Sequence, residues 1–188
     1  MKLFMVLIGC KPKGRNTEQH DIFFGIADQL SRLIPDVINW WPDAKGQIHI
    51  DAWREVNNVD GFRLNIVSRN SIEKNLNPDH RIFFINLGGY KKEEFEEYHY
   101  KILSAATSKS EAIQSSKQTA FYKHTGFKGA TSHIDDKYGI DVDDVFEIED
   151  ILGEKFKREY SLVLEKTFLP EEDDLHIGYL KLDKILEL

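Results

Sequence analysis

Leu3-Phe4-Met5-Val6-Leu7-Ile8-Gly9 and Phe83-Phe84-Ile85-Asn86-Leu87-Gly88-Gly89 are the two stretches on which the reading of this chain turns. Each is a short apolar run closed by glycine, the pattern of a strand buried on both faces. Eleven residues after Gly9 stands His20, in Glu18-Gln19-His20; ten residues after Gly89 stands His99, in Glu97-Tyr98-His99. Further on, His49-Ile50-Asp51 returns as His133-Ile134-Asp135, and Asp60-Gly61-Phe62 as Asp144-Val145-Phe146. Four matches in one order point to an internal duplication, which sets the unit from which the fold is built.

Working outward from the two runs, each copy reads as strand, strand, helix, strand, strand. The second strands are His20–Ala27 and His99–Ala106. In the second copy Ser108 and Glu111 stand three apart as a capping box, ahead of Ala112, Ile113, Ser116 and Ala120 at helical spacing. In the first copy Asp28 is the expected cap, and Leu30, Leu33, Ile34, Val37 and Ile38 form the stripe, with Pro35 splitting the helix. Residues 48–56 and 62–67 read as a strand pair around the turn Asn57-Asn58-Val59-Asp60-Gly61. The expected class is therefore α+β: two tandem strand-strand-helix-strand-strand repeats packed as a pseudo-symmetric body with mainly antiparallel sheets. The expected boundaries are 1–68 for the first repeat, 69–80 for a linker rich in Asn, Ser, Pro and Asp, and 81–152 for the second repeat. Residues 153–188 are expected to add C-terminal strands to the second half. A unit of this size buries only about 60% of its unfolded surface, so packing of the two copies is expected.

Composition narrows the function classes. The chain has 188 residues, 41% hydrophobic and 30% charged, an ordinary globular balance. A net charge of −7 argues against a nucleic-acid partner, because phosphate contacts need a basic face. No stretch approaches the roughly 20 apolar residues of a membrane span, so no membrane partner is expected. A single cysteine, Cys10, excludes an internal disulfide and a Cys-rich zinc site. Leu7-Ile8-Gly9-Cys10 matches a bacterial lipoprotein cleavage box, but its apolar run of six residues falls short of the about 7–15 that a signal peptide needs. The stretch reads as a buried strand with an inert thiol at its end, and a reducing bacterial cytoplasm is the expected location.

The residues that could carry chemistry are the duplicated His and carboxylate pairs. In a strand, positions i and i+2 share a face. Glu18 and His20 would then be neighbours, as would His49 and Asp51, and the set recurs as Glu97, His99, His133 and Asp135. If the strands carrying them pair, two imidazoles and two carboxylates meet, a donor set that suits Zn²⁺, Mn²⁺ or Fe²⁺. The same groups could do acid–base work, or simply pin a loop to the sheet by His–carboxylate hydrogen bonds. Lys11, Lys13 and Arg15 form a basic loop just past a strand that could take an anion, though it lacks the glycine spacing of a phosphate-binding loop. Trp40-Trp41 cannot both face inward on a regular element, so one is expected at an edge or a homodimer interface. Among catalytic signatures, Gly-x-Ser-x-Gly and His-Glu-x-x-His are both absent.

Gly9, Glu18-Gln19-His20, His49-Ile50-Asp51 and Asp60-Gly61-Phe62, with Asn86-Leu87-Gly88-Gly89-Tyr90 and Tyr98-His99 in the second copy, resemble a bacterial family known only as domain of unknown function 1543. The resemblance covers roughly residues 1–150. It implies one or two copies of the domain per chain and assigns no activity. The second copy departs from the pattern where Asp136-Lys137 replaces Ala52-Trp53 and where the Asp-Gly turn becomes Asp144-Val145. The expected function is a non-catalytic module binding a small ligand or a protein partner. The alternative is a small metal-dependent or acid–base enzyme using the Glu-x-His and His-x-Asp pairs.

Overall fold

The computed structural model describes residues 1–44, 47–71, 79–90, 93–125, 141–168 and 171–185. The first apolar run is strand β1, Lys2–Cys10. Its even positions Phe4, Val6, Ile8 and Cys10 are sealed from solvent, and Leu3 and Met5 on the other face are buried too. A strand buried along its length also needs a partner at each edge for its backbone N–H and C=O groups. β2, Gln19–Ala27, and β3, His49–Val56, both pair antiparallel with β1.

Between β2 and β3 the chain makes a 3₁₀ turn over Leu30–Leu33 and then helix α1, Ile34–Trp40. Pro35 lies in the first turn of α1, where its missing N–H costs nothing, so it marks the change of helix type. Residue Gln29, in extended conformation, occupies the cap position before the 3₁₀ turn, so Asp28 does not serve as the cap. Trp40 is the exposed member of its pair, edge-on to both Phe23 and Trp41.

Two expectations for the strands after α1 are corrected. Residues 48–56 and 62–67 do not pair with each other. Asn58–Val59, β4, folds back on β5, Phe62–Ser68, across Asp60 and Gly61. Both turn residues have positive φ, 49° and 81°, the type I′ geometry that Asp-Gly favours in a two-residue hairpin. β4 and β5 lie in a separate sheet with β9, Tyr160–Lys166, in the order β4-β5-β9. The last strand, β10 (His176–Lys181), does not complete the second half but pairs antiparallel with β3. The first sheet is therefore ordered β10-β3-β1-β2. The acidic segment preceding β10 does structural work, since the Asp173 carboxylate accepts from the backbone N–H groups of Asn57 and Asn58 at 3.1 and 3.2 Å.

The other three-stranded sheet has the order β7-β6-β8, from β6 (Arg81–Tyr90), β7 (Glu97–Ala106) and β8 (Asp141–Glu147). Helix α2, Lys109–Thr125, packs on it. Ser108 caps the helix as expected, its Oγ accepting from the Glu111 N–H at 3.2 Å, but the return bond of the box is shifted by one residue: the Glu111 carboxylate accepts from the Thr107 N–H at 2.8 Å, not from that of Ser108. Phe83, Ile85 and Leu87 of β6 form a core with Ile102, Ala106 and Ala112. Asp144-Val145-Phe146 lies within β8 and is not a turn. Short helices α3, Ile148–Ile151, and α4, Glu154–Glu159, lead into β9, and α5, Leu182–Ile185, follows β10. By contacts the chain divides into two units, Met1–Ile72 with Leu152–Ser161 and Glu165–Leu188, and Glu73–Ile151 with Leu162–Leu164. Among the described residues no helix is long and apolar enough to cross a membrane.

Candidate metal centre

Strand register brings the four residues of the first set together by a route that the spacing alone did not suggest. β2 and β3 do not pair; they flank β1, and Gly9 of β1 lies opposite both His20 and His49. A side chain at position 9 would stand between the two imidazoles. A Cβ built there would lie 2.4 Å from His49 Nε2 and 2.6 Å from Asp51 Oδ2. Glycine is thus required here by close approach, not by backbone angle.

A β-bulge aims the remaining carboxylate. The β1–β3 register slips between Leu7 and Ile8, whose partners are Ala52 and Ile50, which leaves Asp51 as the extra residue. Bulges re-aim side chains in this way. Glu18 comes from the last residue before β2.

The result is a ring in which imidazole and carboxylate alternate, each carboxylate turning one oxygen to each histidine. His49 Nε2 is 3.0 Å from Glu18 Oε1 and 3.4 Å from Asp51 Oδ1. His20 Nε2 is 3.3 Å from Asp51 Oδ2 and 3.7 Å from Glu18 Oε2. Ligand atoms about 2.0–2.2 Å from one ion lie roughly 3 Å apart at right angles and about 3.4 Å apart at the tetrahedral angle. Each imidazole–carboxylate contact is of that order, with a different oxygen of each carboxylate facing each histidine. His49 is 7% exposed, and neither its Nε2 nor Asp51 Oδ2 makes a hydrogen bond among the described residues. A buried polar atom that makes ionic contacts without a well-directed hydrogen bond calls for an explanation. Glu18 and His20, at 43% side-chain exposure each, form the open side of the ring.

Around the ring, the Tyr179 ring of β10 lies over His49 with centroids 4.5 Å apart, and Trp53 stacks flat on His176 at 3.8 Å. The Cys10 thiol is buried beside the site, and burial together with the Glu18 charge raises its pKa. Lys11, Lys13 and Arg15 are exposed on the loop that leads from β1 to Glu18, which turns where the Arg15 N–H meets the Pro12 carbonyl at 3.2 Å.

The second set is only partly as expected. His133 and Asp135 lie outside the described residues. Gly88, not Gly89, pairs with His99, at the same eleven-residue separation as Gly9 and His20. On its other side Gly88 pairs with Asp141, and the register slip between Asn86 and Leu87 makes Asp143 the bulged residue. Glu97, His99 and Asp143 bring one ligand atom each to within 4.8 Å of the others. Tyr179 and the clearing role of Gly9 are features of the candidate centres that sequence alone does not mark, while Asp143 lies in an acidic run, Asp141–Asp144, that could hold a cation but lacks EF-hand spacing. The unequal spacings of eleven and ten are the sequence signal that Gly9 corresponds to Gly88 and not to Gly89.

Nothing among curated proteins matches the chain. The crystal structure of a protein Il1583 from Idiomarina loihiensis shares its fold, with a TM-score of 0.63 at 23% identity over 96% of this chain and 97% of that one. Residues 15–66, the segment that contains Glu18, His20, His49 and Asp51, match the family model Domain of Unknown Function (DUF1543).

Proposed function

We propose that the chain is a ligand-binding module whose ligand is a divalent transition-metal ion, held on the first sheet by Glu18, His20, His49 and Asp51. One observation carries this reading: the buried Nε2 of His49 has two carboxylate oxygens within 3.4 Å and a hydrogen bond to neither, above a glycine that clears the space. A pair that merely pinned the sheet would donate that nitrogen's proton along a straight hydrogen bond, and one imidazole would suffice. Two imidazoles set against two carboxylates are a donor set that suits Zn²⁺, Mn²⁺ or Fe²⁺. Elemental analysis of untagged protein purified without chelator, beside His20→Ala, tests the proposal. Stoichiometric metal in the parent and its loss in the variant are expected. No metal, and no rise in melting temperature on adding any of the three ions, would return the four side chains to a fold-pinning role.

The alternative of a small metal-dependent enzyme draws on the opening at Glu18 and His20. A six-coordinate ion such as Mn²⁺ or Fe²⁺ held by these four side chains would keep positions for water or a substrate oxygen, whereas a tetrahedral Zn²⁺ would be filled. The exposed Lys11, Lys13 and Arg15 on the adjoining loop would favour an anionic substrate. Metal-dependent hydrolysis of simple phosphate or carboxylate esters, abolished by His20→Ala, would support it. We further propose that the two sheets arose by duplication. Their common glycine, common bulge and common Glu-x-His pair in one register support this.

A further inference from the structure

We infer that the β7-β6-β8 sheet carries a second cation site, formed by Glu97, His99 and Asp143, with a preference for a harder, more oxygen-seeking ion than the first. His99 Nε2 lies 3.3 Å from Asp143 Oδ2. Gly88 clears the space beneath, since a Cβ there would lie 2.7 and 2.9 Å from the two Asp143 oxygens. Tyr90 stands directly opposite Glu97 in the β6–β7 register, placed to orient that carboxylate from outside the donor set.

Two features separate this cluster from an incidental group of surface acids. The first is register: a glycine on the middle strand, a histidine opposite it on one side and a bulged aspartate on the other repeat three elements of the first site. The second is propensity. β8 opens Asp141-Val142-Asp143-Asp144, and aspartate is disfavoured in strands. Three aspartates at the head of a strand break the local rule, as functional sites do. Asp144 is accounted for by Asn86 Nδ2 at 3.4 Å, which leaves Asp143 directed toward His99.

The ion class follows from the donor set. Where the first site has His49 opposite its glycine, the register puts Asp141 opposite Gly88. The described donors are one imidazole, His99, with the carboxylates of Glu97 and Asp143, against two imidazoles and two carboxylates at the first site. Oxygen-rich sets suit Mn²⁺, Mg²⁺ and Ca²⁺, and imidazole favours Zn²⁺. The preference for Zn²⁺ over Mn²⁺ is expected to be ~10-fold or more lower at this site than at the first.

The inference shares its chemistry with the proposed first site but none of its residues, so each can fail alone. The test is Mn²⁺ titration of the full chain, with free ion read by electron paramagnetic resonance, on the parent, Asp143→Asn, Tyr90→Phe and the double variant His20→Ala, His49→Ala. Two equivalents are expected for the parent and one for Asp143→Asn. The double variant keeps the Asp143-dependent equivalent, and Tyr90→Phe weakens it about 10-fold while leaving the sheet intact. A parent that binds one ion, lost in the double variant and unchanged in Asp143→Asn, overturns the second site and leaves the first standing. One ion lost only in Asp143→Asn does the reverse. No bound Mn²⁺ at millimolar concentration overturns the second site outright.

Discussion

Replacing Gly9 by alanine tests the site through a residue that ligates nothing. The added Cβ would lie 2.4 Å from His49 Nε2 and 2.6 Å from Asp51 Oδ2. Restoring ordinary contact of about 3.4 Å moves the imidazole by about 1 Å, several times the ~0.2 Å tolerance of a metal–ligand bond. Outer-shell changes that only misorient a ligand cost roughly 10–100-fold in affinity, so a shift of this size is expected to cost about 100-fold. With free Zn²⁺ at about 100 times the parent's dissociation constant, binding stabilises the parent by about 2.7 kcal/mol. The same concentration stabilises a variant bound 100-fold more weakly by only about 0.4 kcal/mol. For a chain of this length these become metal-induced rises in Tm of roughly 5–11 °C and 1–2 °C. Without metal the two effects of the methyl oppose each other. Crowding costs about 1–3 kcal/mol, while removing a glycine from a strand returns about 0.5–1 kcal/mol. Thermal melts with EDTA and with excess Zn²⁺ separate the terms. A Gly9→Ala protein whose Tm rises with Zn²⁺ as much as the parent's would refute the argument that the glycine is there for the ligands.

Other consequences can be checked by simpler means. Gly61→Ala is expected to cost about 1 kcal/mol in a denaturant melt through its positive φ alone, because no atom stands within 4 Å of the new methyl. Ser108→Ala should cost about 1 kcal/mol by removing the α2 cap. Hydrogen bonds from Thr107 lower the Glu111 pKa, so its stabilising contribution is full above the ordinary glutamate range and is lost as pH falls through the depressed value; the stability gap between parent and Glu111→Gln should close in acid. Cys10, with its pKa raised by burial and by Glu18, should resist iodoacetamide in the native state and react on unfolding. Fast native alkylation would show that the end of β1 opens.

The sequence alone determined the local elements wherever periodicity and end signals agreed. β1 and β6 were legible because a strand covered on both faces is apolar throughout, and the start of α2 because Ser108 and Glu111 stand three apart. It also supplied the chemistry of the first site, since Glu18, His20, His49 and Asp51 stood out by type and spacing. Tertiary structure alone decided how those residues meet. They converge across Gly9 because β1 lies between β2 and β3, and strand order is set by long-range packing that no short window records. The same holds for β10, which leaves its sequence neighbours to pair with β3. A side-chain period of two makes such matters unforgiving. A one-residue slip that aligns Gly9 with Gly89 reverses the faces, and only the paired register restores Gly88 and finds Asp143 in the bulge. A bulge changes which residue is aimed without changing composition, and so it is invisible until the strands are paired.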